Sequence, residues 1–211
     1  MISFNKHKEF KDTEIGRIPK EWKVVEVAKL GEVVTGTTPS TKNKKYWENG
    51  EYLFVTPTDF NKKKIIKITE RKVSKEGIEK ARIISKNSVM VTCIASIGEV
   101  ALSSHDCITN QQINTIICKE GIDPEFVYYF LLNSKARLKR WAGITTSPII
   151  KKSFFEKFPI LLPPISEQQK IAEVLSTTDN KLEFERRRKA KLETVKKGLM
   201  NDLLTGKKRV K

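Results

Sequence analysis

The last fifth of the chain carries a regular apolar pattern. From Ser166 to Leu204 there is no proline and a single glycine, and Gly206 follows as a helix stop. Ser166 and Gln169 have the spacing of a capping box, which predicts that the helix begins at Ser166. Six apolar residues then recur at intervals that are sums of three and four: Ile171, Leu175, Leu182, Leu192, Leu199 and Leu203. The pattern predicts one helix of about 39 residues, roughly 58 Å long.

These six residues, called the apolar seam below, favour pairing with another helix. A small domain cannot cover a stripe of this length, whereas a second helix covers a near-heptad stripe along its whole length. Glu185 and Lys189 interrupt the seam in the middle, which is typical of a pairing that also selects register and orientation. We therefore predict a homodimer through an antiparallel coiled coil. The alternative is a helix that folds back on its own domain.

Before this helix, short apolar runs separated by turn residues predict a mixed-sheet α+β domain. Residues 1–13 are polar and charged, so a loose leader is expected there. Strands are expected at 23–27, 32–35, 52–55, 88–95, 99–102, 107–109, 113–118 and 158–162, and helices at 74–81 and 123–141. The predicted organisation is a domain over residues 1–162, the long helix over 163–206 and a basic tail over 207–211.

The charge of the chain points to a polyanionic partner. There are 41 Lys and Arg residues against 25 Asp and Glu, a net charge of +16, and the excess is concentrated in residues 60–86 and 181–211. Two separate basic blocks favour nucleic acid, since phosphate contacts release condensed counterions. The sequence has no apolar run of membrane-spanning length and no standard secretion signal at its N-terminus. Three cysteines without C-x-x-C spacing are typical of reduced thiols, so a cytoplasmic protein is expected.

Basic side chains and loop hydroxyls are the candidates for contacts to double-stranded DNA, because both donate to phosphate oxygens. The candidates are Thr37, Thr38, Lys42, Lys44, Lys45, Lys62, Lys63, Lys64, Arg71, Lys72, Thr145 and Thr146. Three adjacent amides, Asn110 to Gln112, are typical either of base contacts or of turn caps, and turn caps are the commoner use. Which residues contact base edges is left open.

Patterns typical of catalysis are incomplete. Gly31 and Gly36 have the spacing of a phosphate-binding loop, but Thr37 occupies the position of its lysine. Asp59, Glu70 and Lys72 match the D…E-x-K pattern of some nucleases, a permissive spacing that leaves a metal-dependent basic nuclease as an alternative. His7 and His105 have no metal-ligand partners near them in the sequence. We therefore expect no catalytic residue, no metal and no cofactor.

A set of short motifs points to a known family. They are Ile15-Gly-x-Ile18-Pro-x-x-Trp22, Leu30-Gly-Glu-Val-Val34, Gly36-x-Thr-Pro39, Ser96-Ile-Gly98, Asn110-Gln-Gln112 and Phe158-Pro-Ile-x-x-Pro-Pro-x-x-Glu-Gln-Gln169-x-Ile171. Together they resemble the DNA specificity subunit of type I restriction–modification systems over residues 14 to about 206. The Pro-Pro-x-x-Glu-Gln-Gln-x-Ile junction into the long helix is the most specific of them.

The resemblance implies a target-recognition domain followed by a conserved spacer helix. Members usually carry two of each in one chain, whereas this sequence has one of each, and a homodimer would restore the pair. The resemblance also implies recognition without catalysis. Specificity subunits dock a DNA adenine methyltransferase subunit, which binds S-adenosylmethionine, and a restriction subunit. A silent or defective half-subunit that acts only as a dimerisation scaffold is a further alternative.

Overall fold

The computed structural model describes residues 6–61, 63–143 and 148–210. The chain separates into two compact units, Met1–Gln169 and Lys170–Lys211. The strands are β1 Phe10–Thr13, β2 Gly16–Pro19, β3 Lys23–Glu26, β4 Gly31–Thr35, β5 Tyr52–Val55, β6 Ile65–Ile66, β7 Arg71–Val73, β8 Val89–Thr92, β9 Val100–Ser103, β10 Cys107–Thr109, β11 Ile113–Cys118 and β12 Pro159–Leu162. The helices are α1 Lys75–Ile78, α2 Pro124–Asn133, α3 Lys135–Trp141, α4 Lys152–Phe155 and α5 Ile165–Leu204, with 3-10 helices at Val27–Lys29, Lys44–Tyr46 and Pro57–Asp59.

The larger sheets of the first unit are mixed. One has the strand order β4-β11-β8-β9-β6, in which β6 runs parallel to β9 and the other neighbours are antiparallel. A second sheet has the order β10-β5-β7, in which β10 and β5 are parallel and β5 and β7 antiparallel. β1 pairs with β2, and β3 pairs with β12, as antiparallel ribbons. The predicted mixed α+β fold with a long C-terminal helix is confirmed.

The core lies between the two larger sheets, and strand alternation builds it. β5 shows this most clearly, because its apolar side chains serve both faces of its sheet. Leu53 and Val55 belong to the cluster shared with the five-stranded sheet. Phe54, between them, belongs to a second cluster with Val73 and Ile108. β5, the central strand of this sheet, is therefore buried on both faces.

α2 packs against β8 and β9. Its first turn is capped by Asp123, whose carboxylate accepts a hydrogen bond from the backbone N–H of Phe126 at 2.8 Å, followed by Pro124 at the first helical position. The single helix predicted from Asp123 to Trp141 is correct in its extent but wrong in its continuity, because the chain breaks at Ser134 into α2 and α3. Asn133 and Ser134 are weak helix formers whose side chains compete for backbone hydrogen bonds, and Ser134 serves as the junction.

The long helix begins one residue earlier than predicted. The carbonyl of Pro164 accepts from the backbone N–H groups of Glu167 and Gln168, so Ser166 lies inside the helix and is not its cap. Gln168 holds the junction instead and is 1% exposed. Its Oε1 accepts from the N–H of Asp123 at 3.0 Å, and its Nε2 donates to the carbonyl of Pro163 at 2.9 Å. Within the described ranges, no helix combines the length and the apolar character that crossing a membrane requires.

The expected loose leader is only partly right. Residues 10–13 form β1, which pairs with β2 in register from Phe10 with Pro19 to Thr13 with Gly16. Glu167 reinforces this end of the first unit, since its carboxylate lies 3.1 Å from Nε2 of His7 and accepts from Nε1 of Trp22 at 3.0 Å. The segment is ordered by pairing with later residues, which local composition does not reveal.

The three thiols are free, as the sequence suggested. Cys93 and Cys107 are buried and Cys118 is half-buried. Burial raises the pKa of each of these thiols to about 12. The reactive thiolate is therefore a very small fraction near neutral pH, which is typical of structural cysteines.

Replacing Gln168 with alanine should destabilise the first unit, because the N–H of Asp123 and the carbonyl of Pro163 both lose their partner. A buried polar group left unpaired costs about 1–3 kcal/mol. We expect urea unfolding to show a loss of at least that size in the free energy of unfolding. Gln169→Ala, at the exposed next position, is the matched control and should change it by less than about 0.5 kcal/mol. Equal effects of the two substitutions would contradict the role given to Gln168.

Candidate nucleic-acid interface

Three of the predicted basic residues come together on one surface. Lys44 and Lys45 lie in the 3-10 helix Lys44–Tyr46, and Arg71 lies in β7; all three are exposed. Trp47 lies against Arg71. We call these four residues the basic–aromatic surface. Lys72 is also exposed, but it is paired with Leu53 whereas Arg71 is paired with Phe54, so its side chain leaves the opposite face of β7.

Backbone contacts join the two halves of this surface. Ser74, directly after β7, donates its N–H to the carbonyl of Tyr46 at 3.0 Å and its hydroxyl to the carbonyl of Lys45 at 2.7 Å. The same hydroxyl accepts from the N–H of Gly77 at 3.1 Å and so caps α1. The positions of Lys44 and Lys45 are therefore fixed relative to β7.

Trp47 anchors the centre of the surface. Its indole N–H donates to the carbonyl of Ser40 at 3.1 Å, and its ring meets the ring of Phe54 edge to face, with the centroids 5.1 Å apart. The guanidinium carbon of Arg71 lies 3.8 Å from the centroid of the indole and 5.5 Å from that of Phe54. The 3.8 Å distance is typical of a close cation–π stack. This stack was not predicted from the sequence. The sequence signal that could have indicated it is the aromatic pair Tyr46 and Trp47, which directly follows Lys44 and Lys45.

The loop over residues 36–43 borders the surface and carries the other predicted contacts in this region. A Cβ on Gly36 would come within 2.2 Å of the backbone oxygen of Asn110, so only glycine allows this close approach. Thr38 donates its hydroxyl to Oε1 of Gln111 at 2.8 Å, and Thr37 is half-buried. Lys42 is exposed in the turn that leads to the 3-10 helix at Lys44.

The three amides Asn110, Gln111 and Gln112 follow one another behind this loop, and two of them bond to each other within their own turn. Oδ1 of Asn110 accepts from the N–H of Gln112 at 3.1 Å, and Nδ2 of Asn110 donates to Oε1 of Gln112 at 2.9 Å. Both residues are half-buried, whereas Gln111 is exposed. The turn-cap interpretation is therefore confirmed for Asn110 and Gln112. Gln111 is the amide that faces solvent beside Thr38.

Lys63 and Lys64 lie at another place, beside β6 at the edge of the five-stranded sheet. Nζ of Lys64 donates to Glu125 at 2.8 Å and to the hydroxyl of Tyr129 at 3.1 Å. Burial lowers the pKa of Lys64, but the hydrogen bonds to Glu125 and Tyr129 and the charge of Glu125 outweigh it, so the pKa is raised. Lys64 is thus held by an internal ion pair, and Lys63 is exposed.

Three predicted contact residues, Lys62, Thr145 and Thr146, lie outside the described residues. They stay predictions from the sequence.

The carboxylate of Asp59 accepts structural hydrogen bonds with both oxygens, which leaves it poorly suited to bind a metal. Its Oδ2 accepts from the N–H and the hydroxyl of Thr56, and its Oδ1 accepts from the N–H of Glu70, each at 2.8 Å. The side chain is 7% exposed, so these bonds clamp the 3-10 helix Pro57–Asp59 to the residue before β7. Among the described residues, no group of three or more His, Cys, Asp or Glu is arranged to hold a metal ion. The nuclease interpretation of Asp59, Glu70 and Lys72 is therefore not supported.

The chain matches a known protein family. Residues 19–194 match the family described as type I restriction modification DNA specificity domain. The chain belongs to this family. The predicted resemblance is thereby confirmed, and residues 36–47 and 71–72 all fall inside the matched region of the specificity domain.

Several relatives of this specificity domain have been named. The type I restriction enzyme MjaIX specificity subunit of Methanocaldococcus jannaschii is 38% identical over 202 residues, which cover 92% of this chain and 46% of the relative. The EcoR124I/EcoR124II specificity subunit of Escherichia coli is 27% identical over 180 residues, 81% of this chain and 42% of the relative. The chain thus spans about half the length of the curated relatives it matches.

Solved structures of specificity subunits share the fold. The HsdS subunit from Thermoanaerobacter tengcongensis superposes with a TM-score of 0.64 at 16% identity, over 92% of this chain and 47% of that chain. The S subunit from M. genitalium gives a TM-score of 0.57 at 20% identity, over 86% of this chain and 44% of that chain. At such low identity the likeness concerns the fold alone.

Asp59→Ala should destabilise the specificity domain, because it leaves the N–H of Thr56 and that of Glu70 without their carboxylate acceptor. Hydrogen bonds to charged groups contribute about 1.5–3 kcal/mol each, so we expect the free energy of unfolding in urea to fall by at least that amount. Glu70→Ala removes an exposed carboxylate from the same supposed metal site and should have an effect below about 0.5 kcal/mol. If Glu70→Ala proved as costly, or if magnesium raised the stability of the wild type alone, the clamp interpretation of Asp59 would be wrong.

Proposed function

We propose that this chain is a DNA target-recognition unit of a type I restriction–modification specificity subunit and that it reads one half-site of a longer target. One observation carries the proposal: an exposed basic–aromatic surface lies within the region that matches the DNA specificity domain. In this proposal the chain works in the cytoplasm and recognises DNA without cutting or methylating it. It requires no metal and no cofactor of its own.

Contacts to phosphate are assigned to the exposed lysines. Lys44 and Lys45 belong to the basic–aromatic surface, Lys42 lies in the adjoining loop, and Lys72 projects from the opposite face of β7. Lysine is suited to this task, since an ammonium on a flexible stem follows a phosphate oxygen without a fixed geometry. Such contacts position a protein on DNA and carry little sequence information.

Thr37 and Thr38 are proposed as further contacts because they lie in the loop that borders the basic–aromatic surface, and Lys63 because it is exposed. Lys64 is a weaker candidate, because binding a phosphate would require breaking its ion pair with Glu125. Lys62, Thr145 and Thr146 are proposed from the sequence alone.

The catalytic steps are assigned to partner subunits. The relatives are named as specificity subunits of type I restriction enzymes. By analogy with them we propose that this chain docks a DNA adenine methyltransferase subunit, and through the complex a restriction subunit. The scaffold interpretation, in which the chain dimerises without reading DNA, is less favoured because it gives the basic–aromatic surface no use.

α5 is proposed as the homodimer interface. Within the seam, Leu182 is 50% exposed, Leu192 61% and Leu199 50%, so much of each leucine remains to be buried. Fully burying one leucine side chain contributes about 1.5–3 kcal/mol. The near-heptad spacing matches the period of a helix pair, and an antiparallel pair is self-complementary under a two-fold axis.

A pair of surface substitutions tests the DNA-binding proposal. Lys44→Gln with Lys45→Gln should flatten the slope of log affinity against log salt by up to about 1.8, because each phosphate that is no longer neutralised reduces the slope by at most roughly 0.9. The measurement is binding to a duplex DNA at several salt concentrations.

The matched control is Lys29→Gln with Lys119→Gln, which removes the same charge. These lysines lie at the end of the β4–β11 pair remote from the loop over residues 36–43, where the N–H of Lys119 donates to the carbonyl of Leu30. The control should leave the slope nearly unchanged. Equal changes in both pairs would mean that only net charge matters and would remove the surface from the interface.

A second pair of substitutions tests the dimer. Leu182→Arg with Leu192→Arg places charges in the seam and should give a folded monomer by light scattering. Asn180→Arg with Thr194→Arg adds the same charge on the opposite face of α5 by heptad position and should leave a dimer. A wild-type chain that is monomeric at tens of micromolar, as a rough working range, would rule out this interface.

A further inference from the structure

We propose that Arg71 reads a guanine through its major-groove edge and is a specificity-determining residue of this chain. The inference rests on the proposed function, which it deepens by assigning one base-reading contact. It gives Arg71 a different role from the lysines around it, which are assigned to phosphates.

The backbone that carries Arg71 is held on both sides. The hydroxyl of Thr69, a residue 7% exposed, donates to the carbonyl of Arg71 at 2.6 Å. The N–H of Glu70 donates to the buried carboxylate of Asp59 at 2.8 Å. Arg71 is then paired with Phe54 in the register of β7 with β5. A residue fixed in this way presents its side chain from a defined position, as a reading contact requires.

The guanidinium group is oriented by aromatic rings. It lies 3.8 Å from the centroid of Trp47, whose indole N–H is itself bound to the carbonyl of Ser40. Stacking at this distance covers a flat face of the guanidinium and leaves the N–H groups at its edge able to donate. Phe54, beneath Trp47, is 2% exposed, so the support reaches into the core.

Arg71 has no acidic partner in the described part of the chain. Among the described residues, no carboxylate lies within 4.0 Å of its guanidinium, whereas Lys64, Lys135 and Arg187 each have such a partner. Arg71 is exposed, so the stack is not a means of burying it. An arginine that is held in place without an anionic partner can bind an anion outside the chain, or a pair of neutral acceptors.

The geometry of the group favours a base edge over a phosphate. Two parallel N–H groups of a guanidinium match the O6 and N7 acceptors of guanine, which is the commonest specific contact of arginine in the major groove. A fixed guanidinium fork can also bind two oxygens of a phosphate. The neighbouring Lys44 and Lys45 already supply phosphate contacts, however, so the directional donors of Arg71 are assigned to a base edge.

The test selects bound sequences from a pool of random duplex DNA, with the full chain in complex with the adenine methyltransferase subunit of the same organism. The wild type should enrich a motif that contains a guanine. Arg71→Lys keeps the charge but replaces the stacked planar fork with a flexible ammonium, so preference for that guanine over the other bases should fall by about 5- to 150-fold while the rest of the motif persists. Lys45→Gln, at an exposed position of the same surface, should weaken binding to all sequences and leave the motif unchanged.

A second variant tests the stack. Trp47→Leu removes the aromatic face and should reduce the preference for the same guanine, whereas Trp47→Phe keeps a ring there and should retain most of it. Circular dichroism checks that each variant is folded. If Trp47→Leu does not fold, Arg71→Lys, a substitution at an exposed position, still tests the proposal by itself.

The outcomes separate the two proposals. An unchanged motif in Arg71→Lys, a uniform loss of affinity, or a loss at a base other than guanine overturns the assignment of Arg71 and leaves the proposed function standing. A wild-type complex that enriches no motif overturns the proposed function, and the assignment with it.

Discussion

Strand β5 is buried on both faces, and this double burial connects the exposed charges to the core. Leu53 and Val55 pack between the two larger sheets, while Phe54 packs on the other side with Val73. Trp47 meets Phe54 edge to face, and Arg71 stacks on Trp47. An exposed guanidinium is therefore positioned by a strand that cannot shift without disturbing two hydrophobic clusters. Because protein interiors are close-packed, such support is stiff.

Because of this support, the basic residues of the surface differ in how freely their side chains can move. Lys44 and Lys45 extend into solvent on flexible stems and can follow a phosphate wherever it lies. Arg71 is restrained by its stack and by the backbone bonds from Thr69 and to Asp59. Restraint removes rotamer freedom before binding, so less entropy is lost when a directional contact forms. Flexible charges give affinity that is tolerant of sequence, whereas a restrained fork gives discrimination.

The fold was predictable wherever burial follows the local pattern. The strands at 52–55, 107–109 and 113–118 were predicted with the bounds the structure has, because each is a continuous β-branched or aromatic run between turns. β1 and β7 were missed, since Phe10–Thr13 and Arg71–Val73 are mostly polar and become strands only by pairing with β2 and β5. Their conformation is decided by tertiary contacts, which a single window of sequence does not contain.

The same limit applies to the candidate site. Composition predicted basic contacts, but the assembly of Lys44 with Arg71 depends on Ser74 bonding back to Tyr46, a residue far from it along the chain. Asp59 resembled a metal ligand because sequence spacing does not record where a carboxylate points. Its oxygens are occupied by the backbone of Thr56 and Glu70, which become its partners only once the turn has formed.

The two basic blocks of the sequence also prove to differ in character. On α5 the cations alternate with glutamates at helical spacing, and close pairs form between Arg187 and Glu183, Arg188 and Glu185, and Lys189 and Glu193. Exposed pairs of this kind contribute about 0–1 kcal/mol and mainly keep a helix soluble. They reduce the charge available to a polyanion. On the basic–aromatic surface, by contrast, none of Lys44, Lys45 and Arg71 has an ion pair with another described residue. All three cations of this surface are therefore available to a polyanion, whereas part of the charge on α5 is already neutralised within the helix.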